Sequence, residues 1–464
     1  MKLNVSLLIL AFLAIPLWPQ IKIFGATPNI VIILTDDQGY ADLSDNPNHP
    51  KEVATPNIDQ LAAEGIFFTQ AYTSGAVCSP TRAGLMLGQY QQRVGIYTAG
   101  DGGRGFNPKT PIFPSFLPPA YRSSAIGKWH LGLDNDYPAL KWHAVNRGFT
   151  ECYKFMGRGG HDYFELKGVK DDTYAPIYRN LTRLQSGDYE GYLTTRLTEE
   201  ATAFIKRSTA TPFFLYLAYN AVHAPAQAPR QDIKTMKERF PHLSEKRATL
   251  MAMLKHLDDG VGEVVNTLKE EKLWANTLLF FLTDNGGAKA MEADNGKLRG
   301  FKGSLYEGGI RTPWIVSWPN RFHGGRRIET PIISLDILPT VVEATQGKID
   351  PVHSFDGKSI LPLIESRGHP HHSHLFWDNG GPKREWAIRH GKWKLHSTRD
   401  QLELHNLMLD PSEKTNLAKQ EPQIADRLKS HYLDWRKQVE ASERIANAMS
   451  RERFEKTRRR KNAK

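Results

Sequence analysis

Two apolar stretches of the chain, residues 29–35 and 277–283, run directly into side chains that can hold a metal ion. The residues that follow them are Asp36, Asp37, Asp284 and Asn285. Ligands of an open parallel sheet bind beyond the carboxyl ends of its strands, so we expect the two pairs to converge. Three carboxylates and one amide oxygen suit Ca²⁺, and less well Mg²⁺, rather than metals that prefer thiols or imidazoles. Asp and Asn also end strands because they favour turns, but two such ends after fully apolar stretches favour a metal site.

A cysteine, Cys78, begins the segment CSPTRAGLMLG, in which turn-forming residues are followed by helix-forming ones. We therefore expect Cys78 just before the first turn of a helix, where free backbone N–H groups and the helix dipole favour an anion. Taken alone, such a cysteine is more typical of a buried or merely reactive thiol. The second cysteine is Cys152, and the sequence leaves open a disulfide between the two.

The cysteine segment resembles the signature of the formylglycine-dependent sulfatases, whose core is Cys-x-Pro-x-Arg followed by a Leu and a Gly. The resemblance implies that a maturation enzyme oxidises Cys78 to formylglycine, and that the hydrated aldehyde is the nucleophile. Thr81 stands where Ser is usual, which keeps the hydroxyl. Leu87 stands where Thr or Ser is usual, which leaves out one hydroxyl contact.

Further motifs extend the resemblance over most of the chain. They are GKWHLG at 127–132, AVHAP at 221–225, LRGFKG at 298–303 ahead of EGGIR at 307–311, and LELHNL at 402–407. Each motif alone is more typical of packing or of a loop contact, and their joint presence favours a catalytic site. By this resemblance the catalytic residues are Cys78, Arg82, Lys128, His130, His223 and Lys302. The metal ligands that it implies are Asp36, Asp37, Cys78, Asp284 and Asn285.

The resemblance also implies how these residues act on a sulfate ester. The metal and three cationic side chains would form a pocket for the negative charge that builds as the S–O bond breaks. Asp284 would accept the proton of the attacking hydroxyl, and His130 would take the proton of the second hydroxyl so that sulfate leaves. His223 and Lys302 would assist the departing alcohol.

The function implied in this way is sulfate ester hydrolysis, with a sulfated carbohydrate or another sulfate ester as substrate. A phosphatase or phosphonate monoester hydrolase is an alternative, because such relatives share the metal site. A second alternative is a non-catalytic polysaccharide-binding protein in which Cys78 is never modified. No nucleic-acid partner is expected, and the identity of the sugar is left open.

The elements that position these residues are predicted from hydrophobic periodicity. Residues 29–35, 212–218 and 277–283 are typical of strands in a parallel sheet that is buried on both faces. A helix is indicated by apolar residues at three- and four-residue spacing, namely Leu250, Leu254, Leu257, Val261, Val264 and Leu268. Strands that alternate with helices predict an α/β fold with a large, doubly wound, mostly parallel sheet flanked by helices. The family resemblance implies the alkaline phosphatase-like version of that fold.

The C-terminal part of the chain predicts a smaller unit. We expect residues 27–366 to form the catalytic α/β domain and residues 367–450 an α+β subdomain, which opens with a polar, histidine-rich linker. A solvated connection is expected there, and metal binding by its histidines is the alternative. Residues 386–395 and 402–407 predict short antiparallel strands, and residues 423–439 predict one helix.

The N-terminus predicts export. Residues 1–26 are expected to form a secretory signal peptide, because Lys2 precedes an apolar run and small residues follow near a plausible cleavage point. An uncleaved membrane anchor is the alternative, although the run is short for a bilayer span. We expect a secreted or periplasmic protein without stable membrane insertion after cleavage.

The formal charge is +11, of which +6 lies in the basic tail at residues 451–464. A solvated helix end is expected there, and a contact with anionic polysaccharide or a membrane surface is the alternative. The mild positive charge of the rest suits an anionic substrate. Glycine-rich segments around Arg104 and Arg158 predict loops at the mouth of the site, and either arginine is a candidate for substrate contact.

Overall fold

The computed structural model describes residues 27–133, 139–155, 160–167, 175–347, 353–365, 371–380, 384–398 and 401–462. The expected signal peptide at residues 1–26 and Arg158 lie outside these ranges. So do the side chains of the basic tail, although the backbone there is helical as far as Asn462. Among the described residues, no helix has both the length and the apolar character that a membrane span requires.

The strands form three sheets in the described part of the chain. Their bounds are β1 Asn29–Thr35, β2 Ile66–Phe68, β3 Ala71–Tyr72, β4 Arg122–Lys128, β5 Glu151–Phe155, β6 Ile177–Arg179, β7 Thr182–Arg183, β8 Phe213–Ala218, β9 Thr277–Thr283, β10 Trp314–Ser317, β11 Arg326–Ile328, β12 Ile332–Ile333, β13 Leu375–Asp378, β14 Trp386–His390, β15 Trp393–Thr398 and β16 Gln401–Asn406. A mixed, mostly parallel sheet has the order β11-β2-β10-β9-β1-β8-β4-β5-β6-β7. β12 pairs with β3, and β13 to β16 form an antiparallel sheet.

Helices connect these strands. The α-helices are α1 Pro56–Glu64, α2 Cys78–Leu87, α3 Ala99–Arg104, α4 Leu193–Lys206, α5 Arg230–Arg239, α6 Glu245–Glu270, α7 Glu307–Ile310, α8 Ile337–Thr345, α9 Leu361–Glu365 and α10 Pro422–Asn462. Short 3₁₀ helices cover Gln91–Val94, Phe113–Phe116, Val145–Arg147, Ser186–Asp188, Trp274–Asn276, Lys289–Met291 and Ser334–Asp336. The helix predicted from leucine and valine spacing is α6, which begins where the Ser244 hydroxyl accepts a hydrogen bond from the Arg247 N–H.

The central strands are apolar on both faces because helices cover both faces of the sheet. Val31 and Ile33 of β1 pack into the core that contains α1, α4 and α6. The alternate residues Ile30, Ile32 and Leu34 pack into the core that contains α2 and α8. The predicted doubly wound α/β fold is therefore confirmed.

The register of the central strands determines where the site lies. β1 is parallel to β9 from Asn29 opposite Thr277 to Thr35 opposite Thr283. β1 is also parallel to β8, which is parallel to β4. The carboxyl ends of four neighbouring strands therefore open onto one edge of the sheet.

The C-terminal antiparallel sheet packs against α10, with the rings of Trp386 and Tyr432 stacked 4.0 Å apart. This arrangement confirms the predicted small sheet with one helix, while the boundary at residues 366 and 367 stays a prediction. α10 is longer than predicted, because it continues beyond Val439 to Asn462. The apolar spacing used for the prediction ends at Val439, but the following residues are rich in helix-favouring Ala, Glu, Lys and Arg.

Candidate active site

The two acidic strand ends meet beyond β1 and β9. Asp36, Asp284 and Asn285 are fully buried, and Asp37 is nearly so. The Asn285 side-chain amide donates to Asp37 Oδ1 at 2.8 Å, and the Asp37 backbone N–H lies 3.5 Å from Asp284 Oδ1. The paired register of β1 and β9 brings these groups together, although they are far apart in sequence.

The donor set fits a hard divalent cation. Asp36 Oδ1 and Asn285 Oδ1 are buried oxygens without a hydrogen-bond partner among the described residues. Ligand atoms of Asp36, Cys78 and Asp284 lie within 4.8 Å of one another. Burial and the like charge of Asp36 raise the pKa of Asp284, because both disfavour the ionised form of its carboxyl group. A cation with oxygen ligands would satisfy both the unpartnered oxygens and this excess negative charge.

Arg82 holds the two buried carboxylates from the side of α2. Its Nε and Nη2 atoms donate to Asp284 Oδ2 at 2.9 and 2.7 Å, and Nη2 also lies 3.2 Å from Asp36 Oδ2. Its Nη1 atom donates to the Lys128 carbonyl at 2.9 Å. Each guanidinium nitrogen therefore donates to a protein oxygen, which fixes the carboxylates in place.

Two lysines complete the positive charge around the carboxylates. The Lys128 ammonium donates to Asp36 Oδ2, and the Lys302 ammonium lies 2.8 Å from Asp37 Oδ2. Burial alone would raise the pKa of Asp36, but Lys128, His223, Arg82 and Lys302 hold that pKa well below its usual range. Asp36 is therefore ionised at neutral pH.

Cys78 is the first residue of α2 and is almost fully buried. The sequence predicted Cys78 just before the helix, whereas in the structure it is the first helical residue. Burial raises the pKa of the Cys78 thiol, although Lys128 and Lys302 act in the opposite direction. The side chain at neutral pH is therefore a protonated thiol, which is a poor nucleophile.

His130 lies two residues beyond the end of β4 and has a backbone φ of 56°, in the left-handed region. Both ring nitrogens are buried without a hydrogen-bond partner among the described residues. Burial, together with the charge of Lys128, lowers the pKa of His130 well below its usual range. The Ser79 hydroxyl donates to the His130 carbonyl at 3.1 Å, so the start of α2 fixes the position of this neutral imidazole.

His223 lies beyond β8 on the solvent side of the carboxylates. Its Nδ1 atom is 2.7 Å from the Ala224 carbonyl, so Nδ1 carries the proton that is donated there. Its Nε2 atom is 3.6 Å from Asp37 Oδ2, the oxygen that also accepts from Lys302. Burial and the charge of Lys128 lower the pKa of His223. The structure thus brings all of the residues predicted for the site to one edge of the sheet.

Asn220 is a candidate residue that the sequence reasoning missed. It follows the last residue of β8 by two positions, so it lies between the strand ends that carry Asp36 and Lys128. Its side-chain oxygen and nitrogen are buried without a hydrogen-bond partner in the described part of the chain. The signal that could have found it is a polar residue after an apolar strand, as for Asp36.

The glycine-rich segment around Arg104 is a helix, α3, so the predicted loop is wrong there. Asp101 Oδ2 accepts from the N–H and the hydroxyl of Thr98, and this capping box starts the helix despite its three glycines. A Cβ atom on Gly102 would lie 1.7 Å from Ser79 Oγ. α3 therefore packs directly against the start of α2. Arg104 itself is exposed.

The structure also decides between the alternatives for the two cysteines. Cys78 and Cys152 are both free and buried. Cys152 lies in β5, where its sulfur is 3.9 Å from His143 Nε2. The possible disulfide is therefore excluded.

The doubly wound sheet, with a buried carboxylate cluster and a cationic pocket at its carboxyl edge, has the alkaline phosphatase-like fold. The chain belongs to the sulfatase family, whose model matches residues 28–347. A second model, for the C-terminal part of N-sulphoglucosamine sulphohydrolase, matches residues 300–438. The protein is therefore a sulfuric ester hydrolase.

Relatives and solved structures agree with this assignment. An uncharacterized sulfatase of Escherichia coli (strain K12), YdeN, is 27% identical over 92% of this chain and 88% of its own length. The N-acetylgalactosamine-6-sulfatase of Sus scrofa is 31% identical, and the match covers 73% of this chain and 66% of that protein. The crystal structure of Ps i-CgsB in complex with k-i-k-neocarrahexaose has a TM-score of 0.80 and 32% identity. The match covers 88% of this chain and 93% of the Ps i-CgsB chain.

Proposed function

We propose that this protein removes sulfate from a sulfated carbohydrate, with residue 78 acting after a maturation enzyme has oxidised Cys78 to formylglycine. The proposed metal is Ca²⁺, and its ligands are Asp36, Asp37, Asp284 and Asn285 together with residue 78. The observation that carries this proposal is the convergence of unpartnered buried oxygens and three cationic side chains around the first residue of α2.

The proposed Ca²⁺ and formylglycine would supply two kinds of chemistry. A bound Ca²⁺ adds positive charge beside the sulfate oxygens and the carboxylates, and the hydrate of formylglycine provides a hydroxyl nucleophile that can later release sulfate. Burial raises the pKa of the Cys78 thiol, so the unmodified side chain would be a poor nucleophile, whereas the proposed hydrate presents a hydroxyl.

The three cationic side chains have three different roles. Arg82 orients the carboxylates, because its nitrogens donate to Asp284, Asp36 and the Lys128 carbonyl. Lys302 retains about a fifth of its side-chain exposure and lies at the open side of the cluster, so it is placed to bind the sulfate group. Lys128 is fully buried and offsets the charge of Asp36 from beneath the site.

Proton transfer falls to the two histidines and Asp284. Neutral His130 has a free ring nitrogen and can take the proton from the second hydroxyl at residue 78. Asp284 lies in the same buried cluster as residue 78 and can accept the first proton. His223 and Lys302 lie beside the same oxygen, Asp37 Oδ2, so both are placed to assist the departing alcohol, and the protonated Lys302 can supply the proton.

The nature of the substrate is supported by two comparisons. Ps i-CgsB was crystallised with k-i-k-neocarrahexaose, and the Sus scrofa relative is named for N-acetylgalactosamine-6-sulfate. Both concern carbohydrates. The position of the sulfate and the identity of the sugar should be determined by a desulfation screen over defined sulfated oligosaccharides.

The experiment that tests the proposal compares the wild-type protein with Cys78→Ala after co-expression with a formylglycine-generating enzyme. We expect a lower mass for the residue-78 peptide of active wild-type protein, and no sulfate release by the variant. Cys152→Ala is the matched control and should keep wild-type activity. Full activity of Cys78→Ala, or of protein with an unmodified thiol at residue 78, would overturn the proposal. An unmodified thiol in inactive native protein that still binds polysaccharide would favour the non-catalytic alternative.

A further inference from the structure

A second group of metal-binding side chains lies away from the active site, where the predicted linker enters the C-terminal sheet. His371 and His372 were expected in a solvated connection, but their side chains are only 7% exposed, so that expectation is wrong for these two residues. Both rings point their Nε2 atoms at the fully buried carboxylate of Asp336. The distances are 2.7 Å from His372 Nε2 to Oδ1 and 3.4 Å from His371 Nε2 to Oδ2.

We propose that Asp336, His371 and His372 bind a borderline divalent transition metal of the Zn²⁺ type. Their ligand atoms lie within 4.8 Å of one another. Tetrahedral Zn²⁺ with bonds of about 2.0 to 2.1 Å needs ligand atoms about 3.3 Å apart, and the two histidine–carboxylate distances of 2.7 and 3.4 Å are close to that value. Two imidazoles and one carboxylate suit Zn²⁺, whereas Ca²⁺ selects oxygen ligands. A water molecule would complete the tetrahedral coordination.

Two features distinguish this group from an ordinary histidine–aspartate contact. His371 Nε2 is a buried ring nitrogen without a hydrogen-bond partner among the described residues. The Asp336 carboxylate is already oriented by backbone donors, since the Ile333 N–H lies 2.9 Å from Oδ2 and the Lys358 N–H lies 2.8 Å from Oδ1. A carboxylate oriented in this way is typical of metal ligands that are supported by a second layer of hydrogen bonds.

The metal would join two segments of the chain, and a third segment, around Lys358, contacts both of them. Asp336 immediately precedes α8, Lys358 belongs to the segment that leads to α9, and the two histidines precede β13. The Lys358 ammonium also donates to the His371 carbonyl at 2.9 Å. The Gly88 carbonyl at the end of α2 accepts from the Gly357 N–H at 3.1 Å. The site thus lies near the C-terminal end of α2, whereas residue 78 lies at its N-terminal end.

The test is a titration of the full-length protein with Zn²⁺ in the presence of saturating Ca²⁺, followed by calorimetry and by metal analysis after dialysis. We expect one Zn²⁺ per chain in the wild type. Mutation of residues that only support metal ligands lowers affinity about 10- to 100-fold, so His371→Asn and His372→Asn should each lower it at least as much. His374→Asn is the matched control, because its ring stacks on His390 and does not contact Asp336.

A second measurement, the visible spectrum of bound Co²⁺, reports the coordination number and the ligand type in the wild type itself. Co²⁺ added to the Ca²⁺-saturated protein should give the intense visible bands of a four-coordinate nitrogen and oxygen site, and these should persist in Cys78→Ala. Zn²⁺ should raise the thermal midpoint of the wild type and leave that of His371→Asn unchanged. Absence of Zn²⁺ binding would overturn the proposal, as would full binding by both histidine variants or loss of binding in Cys78→Ala. Because the Co²⁺ spectrum needs no variant of the site, a folding defect in a variant leaves this test intact.

Discussion

Replacement of Arg82 by lysine tests whether the guanidinium positions the buried carboxylates. A lysine keeps the charge but presents one ammonium on a flexible stem, so it cannot span Asp284, Asp36 and the Lys128 carbonyl together. If the lysine keeps one of the three hydrogen bonds to carboxylate oxygens, the variant loses the other two and the one to the Lys128 carbonyl. Hydrogen bonds of a charged group are worth about 1.5 to 3 kcal/mol each, and breaking a buried ion pair costs about 3 to 5 kcal/mol. We therefore expect the free energy of unfolding to fall by about 3 to 5 kcal/mol.

The assay is equilibrium unfolding in urea at constant Ca²⁺, with kcat/KM for sulfate release measured on the same samples. Arg122→Lys is the matched control, since Arg122 forms a partly exposed ion pair with Glu151 at 2.7 Å. That pair should contribute less than about 1 kcal/mol. We expect kcat/KM to fall only in Arg82→Lys. An Arg82→Lys protein within about 1 kcal/mol of the wild type, or one that keeps full kcat/KM, would refute the positioning argument.

The other predictions concern packing, pH and redox state. Gly102→Ala should strongly reduce activity, because its Cβ would lie 1.7 Å from Ser79 Oγ. Gly187→Ala is the control, since its Cβ would meet no atom within 4 Å and activity should not change. Steady-state kinetics of the two variants tests this prediction. Burial and Lys154 lower the pKa of His143 to about 2, while an unfolded histidine titrates near about 6.5. As the pH falls, the unfolded chain therefore binds a proton at His143 before the folded chain does. The contribution of the neutral imidazole to the free energy of unfolding is complete above about pH 6.5, and below that pH it falls by about 1.4 kcal/mol per pH unit. Urea unfolding should show a shallower acid loss in His143→Gln than in the wild type, and equal slopes would contradict this. Because Cys152 forms no disulfide, a thiol reductant should leave the thermal midpoint of the wild type unchanged, and a decrease would contradict the free-thiol assignment.

The central part of the fold could be predicted because its signal is local and strong. β1, β8 and β9 are continuous apolar runs, and each is followed by polar residues that lie at the candidate site. The outer strands were not predicted. β2, β7 and β11, for example, have only two or three residues, so hydrophobic periodicity cannot distinguish them from loops.

The remaining differences arise from contacts between segments that are distant in sequence. His371 and His372 lie in a polar stretch, and only the folded chain shows that Asp336 draws them into the interior. Arg82 was expected in the cationic pocket, but its donors are directed at the carboxylates and at a backbone carbonyl. Asn220 was missed because one polar residue after a strand is too common a feature to stand out.

The measurement that tests the central claim most directly is a comparison of kcat/KM for 4-nitrophenyl sulfate and 4-nitrophenyl phosphate. It should use the matured full-length protein, with and without removal of the divalent cation by chelation. The account predicts a clear preference for the sulfate ester, activity that is lost on chelation and restored by Ca²⁺, and no activity in Cys78→Ala. A preference for the phosphate ester, or sulfate release that is insensitive to chelation, would contradict it.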